Sequence, residues 1–162
     1  MMAIEPVREF FKQYGMDSRI REFDVSSATV ELAAQALDCE PARIAKTLSF
    51  LSEDGCILIV AAGDAKVDNA KFKAQFGMKA KMLTPDQVLE FCGHAIGGVC
   101  PFAVKETARV YTDISLHRFD VVYPACGSSN SAIPLTCDEL FRYSQSLGWI
   151  DVCKGWQDAE NQ

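Results

Sequence analysis

The chain has 162 residues, 49% of them apolar and 23% charged, and a formal net charge of −6. That balance suits one globular domain with a core of ordinary size, and it excludes a disordered chain. No apolar run approaches the roughly 20 residues that a membrane helix needs, and an acidic total argues against a dedicated nucleic-acid coat protein.

The first predicted element is a helix opened by Pro6. Val7, Phe10, Phe11 and Tyr14 recur on one face, and Gly15 ends it. Glu5, Arg8, Glu9 and Lys12 break up the same stretch, so it is no signal peptide and the expected location is the cytoplasm. Phe23 and Val25 alternate with polar residues as a half-buried strand over 20–25 does. A second helix carrying Val30, Ala33, Ala34 and Leu37 follows a start signal at Ser26-Ser27. Pro41 opens a short turn of helix through Ile44. The chain then passes Lys46 into a strand, Thr47 to Leu51.

Ser52-Glu53-Asp54-Gly55 reads as a hairpin turn, with Cys56 to Ala62 as the return strand. Asp68 is placed to cap a third helix bearing Phe72 and Phe76 and closed by Gly77. Met82-Leu83 is a short strand, and Thr84-Pro85-Asp86-Gln87 combines a capping box with proline at the first helical position. That helix ends near Gly93, where a glycine-rich loop runs to Pro101. Strands are expected over 110–114, 120–123 and 132–135, with a small-residue loop, Cys126 to Ser131, before the last. Thr136-Cys137-Asp138-Glu139 is a second capping box. It leads a helix with Leu140, Tyr143 and Leu147 on one face, stopped by Gly148, and residues 155–162 are expected to fray. The pattern predicts one α/β domain over 1–162, with a mixed, largely antiparallel sheet.

Chemistry has few candidate seats. The seven cysteines are odd in number and widely spaced without a C-x-x-C pair, so neither a disulfide framework nor a metal site is expected. A dyad of Cys100 with His94 is conceivable, but so short a loop rarely aims two side chains at each other. Lys46, at a helix-to-strand junction, points either into a cleft or into solvent. Gly97-Gly98-Val99-Cys100-Pro101 is either a plain turn or a loop whose N–H groups face a ligand carbonyl. Gly127-Ser128-Ser129-Asn130 either lines a pocket or is a loop. Between Lys66 and Lys81, five lysines against Asp68 give that segment +4 in an acidic chain. It is a solvated face, or a patch for one phosphate-bearing end of a ligand.

Taken in order, these pieces resemble the YbaK/EbsC family of aminoacyl-tRNA editing domains, over about 7–147. The matching residues are Ala45-Lys46-Thr47-Leu48, Gly93-His94 with Gly97 to Pro101, Val110-Tyr111-Thr112-Asp113, Gly127 with Ala132-Ile133-Pro134-Leu135, and the Asp138-Glu139-Leu140 helix start. The stretch 126–136 looks most like the ProX deacylase branch. The resemblance implies a barrel-like mixed sheet ringed by helices, and hydrolysis of the ester that joins a wrong amino acid to the acceptor end of a tRNA. Alanine or cysteine on proline tRNA is the implied substrate. It also implies an essential role for Lys46 and an amino-acid pocket at the Gly97–Pro101 loop. His94, Gly127 and Ser128 would stand near that pocket, and Lys66, Lys71 and Lys73 near the tRNA. No cofactor or metal is implied, and the partners would be the mischarged tRNA and prolyl-tRNA synthetase. Cys100 and His94 depart from the serine and tyrosine of many relatives, which leaves the preferred amino acid open. The competing reading is a non-catalytic module that docks the same tRNA or a synthetase.

Overall fold

The computed structural model describes residues 3–157. Its centre is a hairpin of β2 (Ile44–Ser52) and β3 (Gly55–Ala62), antiparallel and in register from Ala45↔Ala62 to Ser52↔Gly55. Every residue of β3 is buried, so its uninterrupted run Cys56-Ile57-Leu58-Ile59-Val60 is the signature of a strand covered on both faces. β5 (Ala108–Asp113) and β8 (Trp149–Ile150) extend the sheet in parallel on one side, and β6 (Tyr123–Pro124) lies parallel to the start of β2 on the other. The order is β6-β2-β3-β5-β8, a mixed sheet. Two antiparallel ladders flank it. One joins β1 (Arg21–Glu22) to β7 (Ser131–Ala132), and the other joins β4 (Lys66–Val67) to β9 (Cys153–Lys154).

Among the described residues five α-helices surround this frame: α1 (Glu5–Lys12), α2 (Val30–Leu37), α3 (Asn69–Phe76), α4 (Pro85–Cys92) and α5 (Cys137–Tyr143). Local chemistry fixes their ends. Thr84 and Thr136 form complete capping boxes with Gln87 and Glu139, and Asp68 accepts from the Lys71 N–H. Gly77 and Gly93 close α3 and α4 at φ +72° and +96°, left-handed values that a side chain resists. Aromatic contacts seat the helices: Phe11 of α1 meets Phe102 of the loop after Pro101 at 4.8 Å, and Phe72 of α3 meets Phe50 of β2 at 4.9 Å between ring centroids.

Several expectations change, and the strands expected over 120–123 and 132–135 shrink to β6 at Tyr123–Pro124 and β7 at Ser131–Ala132, with one bridge between Val122 and Leu135. The cap of α2 is Thr29, whose hydroxyl accepts from Leu32, and not Ser26-Ser27. Only Arg21–Glu22 of the stretch 20–25 pairs as a strand. α5 stops at Tyr143, because Gln145 turns left-handed at φ +53°, and Leu147 is exposed instead of sharing its buried face. Of the stretch expected to fray, 158–162 lies outside the described residues, while Trp156 is buried.

Candidate functional site

Lys46 sits inside a strand, the third residue of β2, and not at a junction before it. Two different partners cover the outer edge of this strand. β6 pairs at Ile44–Ala45, and the Lys81–Leu83 segment bonds further along, through Leu51 N–H to Lys81 O (2.7 Å) and Leu83 N–H to Ser49 O (3.3 Å). Between the two, Lys46 to Leu48 faces a cavity of about 240 Å³. Peptide groups in a strand alternate sides, and those of Ser49 and Leu51 point away from β3. Those of Thr47 therefore point the same way, and the edge presents a backbone donor and acceptor to the cavity.

The rest of the wall is assembled from distant parts of the chain. Val30 and Ala33 come from α2, and Val88 comes from α4. Ile96, Gly97 and Val99 come from the glycine loop, and Tyr123, Ala125 and Ser131 from the segment that ends in β7. Most of these are apolar, so the cavity suits a small uncharged side chain beside a few polar groups. Met82 and Ile96, each 62% exposed, stand at its rim.

The Lys46 side chain is half-buried. Its ammonium donates to the Gly63 carbonyl at 3.3 Å, and burial holds its pKa below the ordinary lysine value. A cation with so few protein partners, beside a cavity, is available to an oxygen of a ligand.

The glycine loop divides its residues between wall and support. Gly97 (φ +93°) and Val99 line the cavity, and neither N–H has a hydrogen-bond partner among the described residues. Gly98 lies behind them. Its N–H already donates to the Ala95 carbonyl (3.0 Å), so it is not a free donor for a ligand. Cys100 and Pro101 are buried and do not line the cavity. His94 is buried too, with Nε2 2.7 Å from the Phe102 carbonyl, a distance that makes Nε2 the protonated nitrogen.

The short loop does bring Cys100 Sγ within 3.5 Å of His94 Nε2, against the sequence expectation. The contact is not a reactive dyad. Cys100 is fully buried, desolvation pushes its thiol pKa well up, and the same effect lowers that of His94, so neither group ionises readily.

Gly127 (φ +91°) packs beneath α1 and beside His94. A Cβ there would stand 2.8 Å from the Ala3 carbonyl oxygen, so only glycine fits. Ser128 bonds Ser131 between hydroxyls at 2.6 Å, and it is Ser131 that reaches the cavity. The loop is stitched to the residues before α2 by Ser27 N–H to Ser129 O (2.6 Å) and Phe23 N–H to Asn130 O (2.8 Å).

The basic segment divides as well. Lys66 lies on β4, close enough to Lys46 to depress its pKa. Lys71 is engaged with Asp151 (3.0 Å) and the Cys153 carbonyl (3.1 Å). Lys73 and the exposed Lys79 share a separate shallow hollow with Asn69, Ala70 and Ala80. Sequence reading missed Ser131, Tyr123, Ile96 and the α2 residues of the wall, since nothing local marks a residue whose neighbour across a cavity lies in another segment of the chain. Among the described residues no group of three or more His, Cys, Asp or Glu side chains is placed to hold a metal ion. No helix among them is long and apolar enough to cross a membrane.

A family model described as an aminoacyl-tRNA editing domain matches residues 25–143. The chain is 55% identical over 157 residues to the uncharacterized protein YwhH of Bacillus subtilis strain 168, covering 96% of this chain and all of that protein. It is 32% identical over 83 residues to the proline–tRNA ligase of Thermotoga neapolitana, which is 49% of this chain but only 14% of the synthetase. Among solved structures, one described as a candidate trans-editing enzyme for prolyl-tRNA synthetase superposes with a TM-score of 0.85 at 28% identity, covering 96% of this chain and 99% of its own.

Proposed function

The chain belongs to the family of aminoacyl-tRNA editing domains, and from that premise we propose that it is a trans-editing deacylase, which hydrolyses the ester of an amino acid wrongly attached to tRNA. The observation that carries this reading is the placement of Lys46 on the wall of a small, mostly apolar cavity that also receives the glycine loop. In this reading the whole chain acts as one editing domain.

The cavity takes the amino-acid side chain, and the Lys46 ammonium binds an oxygen of the terminal ribose or its phosphate. Free N–H groups at Gly97, Val99 and Thr47 surround the ester carbonyl, whose oxygen gains negative charge as it is attacked. Water or a substrate hydroxyl or thiol is the attacking group, because no carboxylate or exposed imidazole lines the cavity. Such a sieve answers a physical limit of synthetases. A pocket built for proline discriminates against smaller residues only by lost apolar contact, worth about 1–3 kcal/mol.

Alanine and cysteine on proline tRNA are the expected substrates, supported by the cavity's small size and by the match to proline–tRNA ligases. The test is a panel of purified aminoacyl-tRNAs incubated with the protein in chelator-containing buffer, since the reading assigns no metal to the reaction. Ala-tRNA(Pro) or Cys-tRNA(Pro) is expected to be hydrolysed, and Pro-tRNA(Pro) spared. Binding without hydrolysis of any member would replace the deacylase by a docking module.

The tRNA body needs cations, and the basic segment supplies them. Lys66 and Lys73 are exposed, whereas Lys71 is tied to Asp151 in an ion pair that a phosphate has to displace. Converting Lys73 and its neighbour Lys79 to glutamine is expected to raise the apparent KM several-fold at low salt and to flatten its salt dependence. The single-turnover rate at saturating tRNA should hold, since phosphate contacts position the ligand without touching the ester. An unchanged KM would make this segment a solvated face only.

A further inference from the structure

The Gly63 carbonyl that holds Lys46 belongs to a tight turn. The Ala65 N–H donates to the Ala62 carbonyl at 3.0 Å, with Gly63 and Asp64 between them. Close packing prevents this turn from drifting. A Cβ at Gly63 would lie 2.1 Å from the Pro41 carbonyl oxygen and 2.8 Å from Val30 Cγ1, so the backbone is pressed against the entry to β2.

On the other side the turn is held by the 3-10 segment Ile114–Arg118. Arg118 grips Asp64 with both ends of its guanidinium, Nη1 to Oδ2 at 2.9 Å and Nη2 to Oδ1 at 2.5 Å. It also donates Nε–H to the Ser115 carbonyl at 2.9 Å, and lies over the rings of Phe119 (4.8 Å) and Trp156 (5.1 Å). Ser115 Oγ in turn accepts from the Ala62 N–H at 3.1 Å, at the end of β3. A planar fork matched to a carboxylate and stacked between two rings is a fixed pair, with less freedom than an ordinary surface bridge.

We propose that the Asp64–Arg118 pair is a positioning element for Lys46: it locks the turn that aims the Gly63 carbonyl at the ammonium, and it masks the Asp64 charge so that the ammonium stays free for the substrate. Asp64 is the carboxylate nearest in sequence to that carbonyl, and unpaired it would compete with the tRNA for the lysine. The proposal rests on Lys46 being the catalytic residue.

The charged and titratable groups whose fields reach Lys46 include Asp64 on the turn, Cys153 on β9, Lys66 on β4 and Glu31 on α2. Asp64 raises the Lys46 pKa and Lys66 lowers it, while Arg118 holds the Asp64 carboxyl below the usual carboxylate range. Removing the two partners of the pair is expected to push Lys46 in opposite directions, because Asp64 is a negative charge beside it and Arg118 a positive charge fixed on that carboxylate. Asp64→Asn leaves an unmatched guanidinium and lowers the Lys46 pKa. Arg118→Gln leaves an unmatched carboxylate and raises it. The double variant, which removes both charges, returns it near wild type.

The experiment titrates the Lys46 Cε signal by NMR in lysine-labelled protein, assigned by its loss in Lys46→Gln. Each single variant is expected to shift the midpoint by roughly half a pH unit, with opposite signs. Single-turnover deacylation should slow several-fold in Arg118→Gln, where the freed carboxylate captures the ammonium, and recover in the double variant. Shifts of the same sign, or no shift, overturn the proposal. A purely structural role lowers the melting temperature without producing the crossover. Should Arg118→Gln fail to fold, the isosteric Asp64→Asn decides alone, and an unmoved midpoint refutes the pairing. Because the titration needs no substrate, it stands apart from the deacylase reading, which fails separately if Lys46 proves dispensable.

Discussion

Lys46→Ala is expected to reduce single-turnover deacylation by about 10²-fold or more, the order of loss when the group that holds the reacting end of a substrate in place is removed. The fold should survive. The side chain is half-buried, makes one hydrogen bond of 3.3 Å to a peptide carbonyl, and is penalised by its own desolvation. Hydrogen bonds of this kind contribute about 1 kcal/mol net, and losing the buried charge offsets part of that. The melting temperature should therefore move by no more than about 3 °C in a domain of this size. β2 keeps its backbone ladder with β3, because the register is set by the Glu53-Asp54 turn and the buried residues on either side. Measured deacylation near the wild-type rate, with tRNA binding intact, would take Lys46 out of the chemistry and leave a docking module. Lys46→Arg separates charge from geometry. A guanidinium keeps the charge but cannot hold the same single-point contact with Gly63, so partial recovery is expected rather than full.

The legible parts of this molecule were those written locally. Capping boxes at Thr84 and Thr136, the Asp68 cap with its Gly77 stop, and the hairpin about Gly55 all depend on residues within a few positions of each other. The strands that sequence reading passed over, β4, β8 and β9, are two-residue pairings made by distant segments, and no periodicity can appear in two residues. The site shows the same division. Lys46 and Gly97 were visible because a family pattern marks them, and both reach the cavity. Cys100, His94 and Gly127 carry the same pattern, yet they hold the loop from behind through buried contacts with Phe102, Ala3 and Val7. A motif records which residues must be present and is silent on which of them face a ligand. Asp64 and Arg118 left no trace, since their meaning appears only when two segments 54 residues apart are brought together.

Gly98→Val is expected to unfold or strongly destabilise the protein, a larger effect on stability than on the chemistry of any molecules that remain folded. A glycine in a loop expected to line the pocket would instead lose activity before stability, through a side chain that fills the pocket and resists positive φ. The structure assigns those features to Gly97, which lines the cavity at φ +93°, and gives Gly98 a different constraint. A Cβ on Gly98 would lie 2.5 Å from the Gly127 carbonyl oxygen, 2.7 Å from its carbonyl carbon and 3.0 Å from Ser128 Cα. All three are backbone atoms, so no rotamer change relieves the clash and one loop must move. Gly127 has little room to retreat toward α1, where a Cβ on it would already lie 2.8 Å from the Ala3 carbonyl oxygen and 3.0 Å from Val7 Cγ2. Displacing either loop strains the contact among His94, Cys100 and Phe102 beneath it. Overpacking of this kind costs about 1–3 kcal/mol and more where backbone is the obstacle. At roughly 2–4 °C per kcal/mol for a chain of this length, a cost at the upper end of that range or beyond it lowers the melting temperature by about 10 °C or more. Gly98→Ala brings the same Cβ and should show most of the loss, which distinguishes backbone contact from the bulk of valine. By contrast, Gly148→Ala, at a glycine with nothing within 4 Å of its Cβ position, should melt close to wild type. A Gly98→Ala variant as stable as the wild type would mean that the Gly98 and Gly127 loops are not in contact, and the support assigned to His94 and Cys100 would have to be abandoned with it.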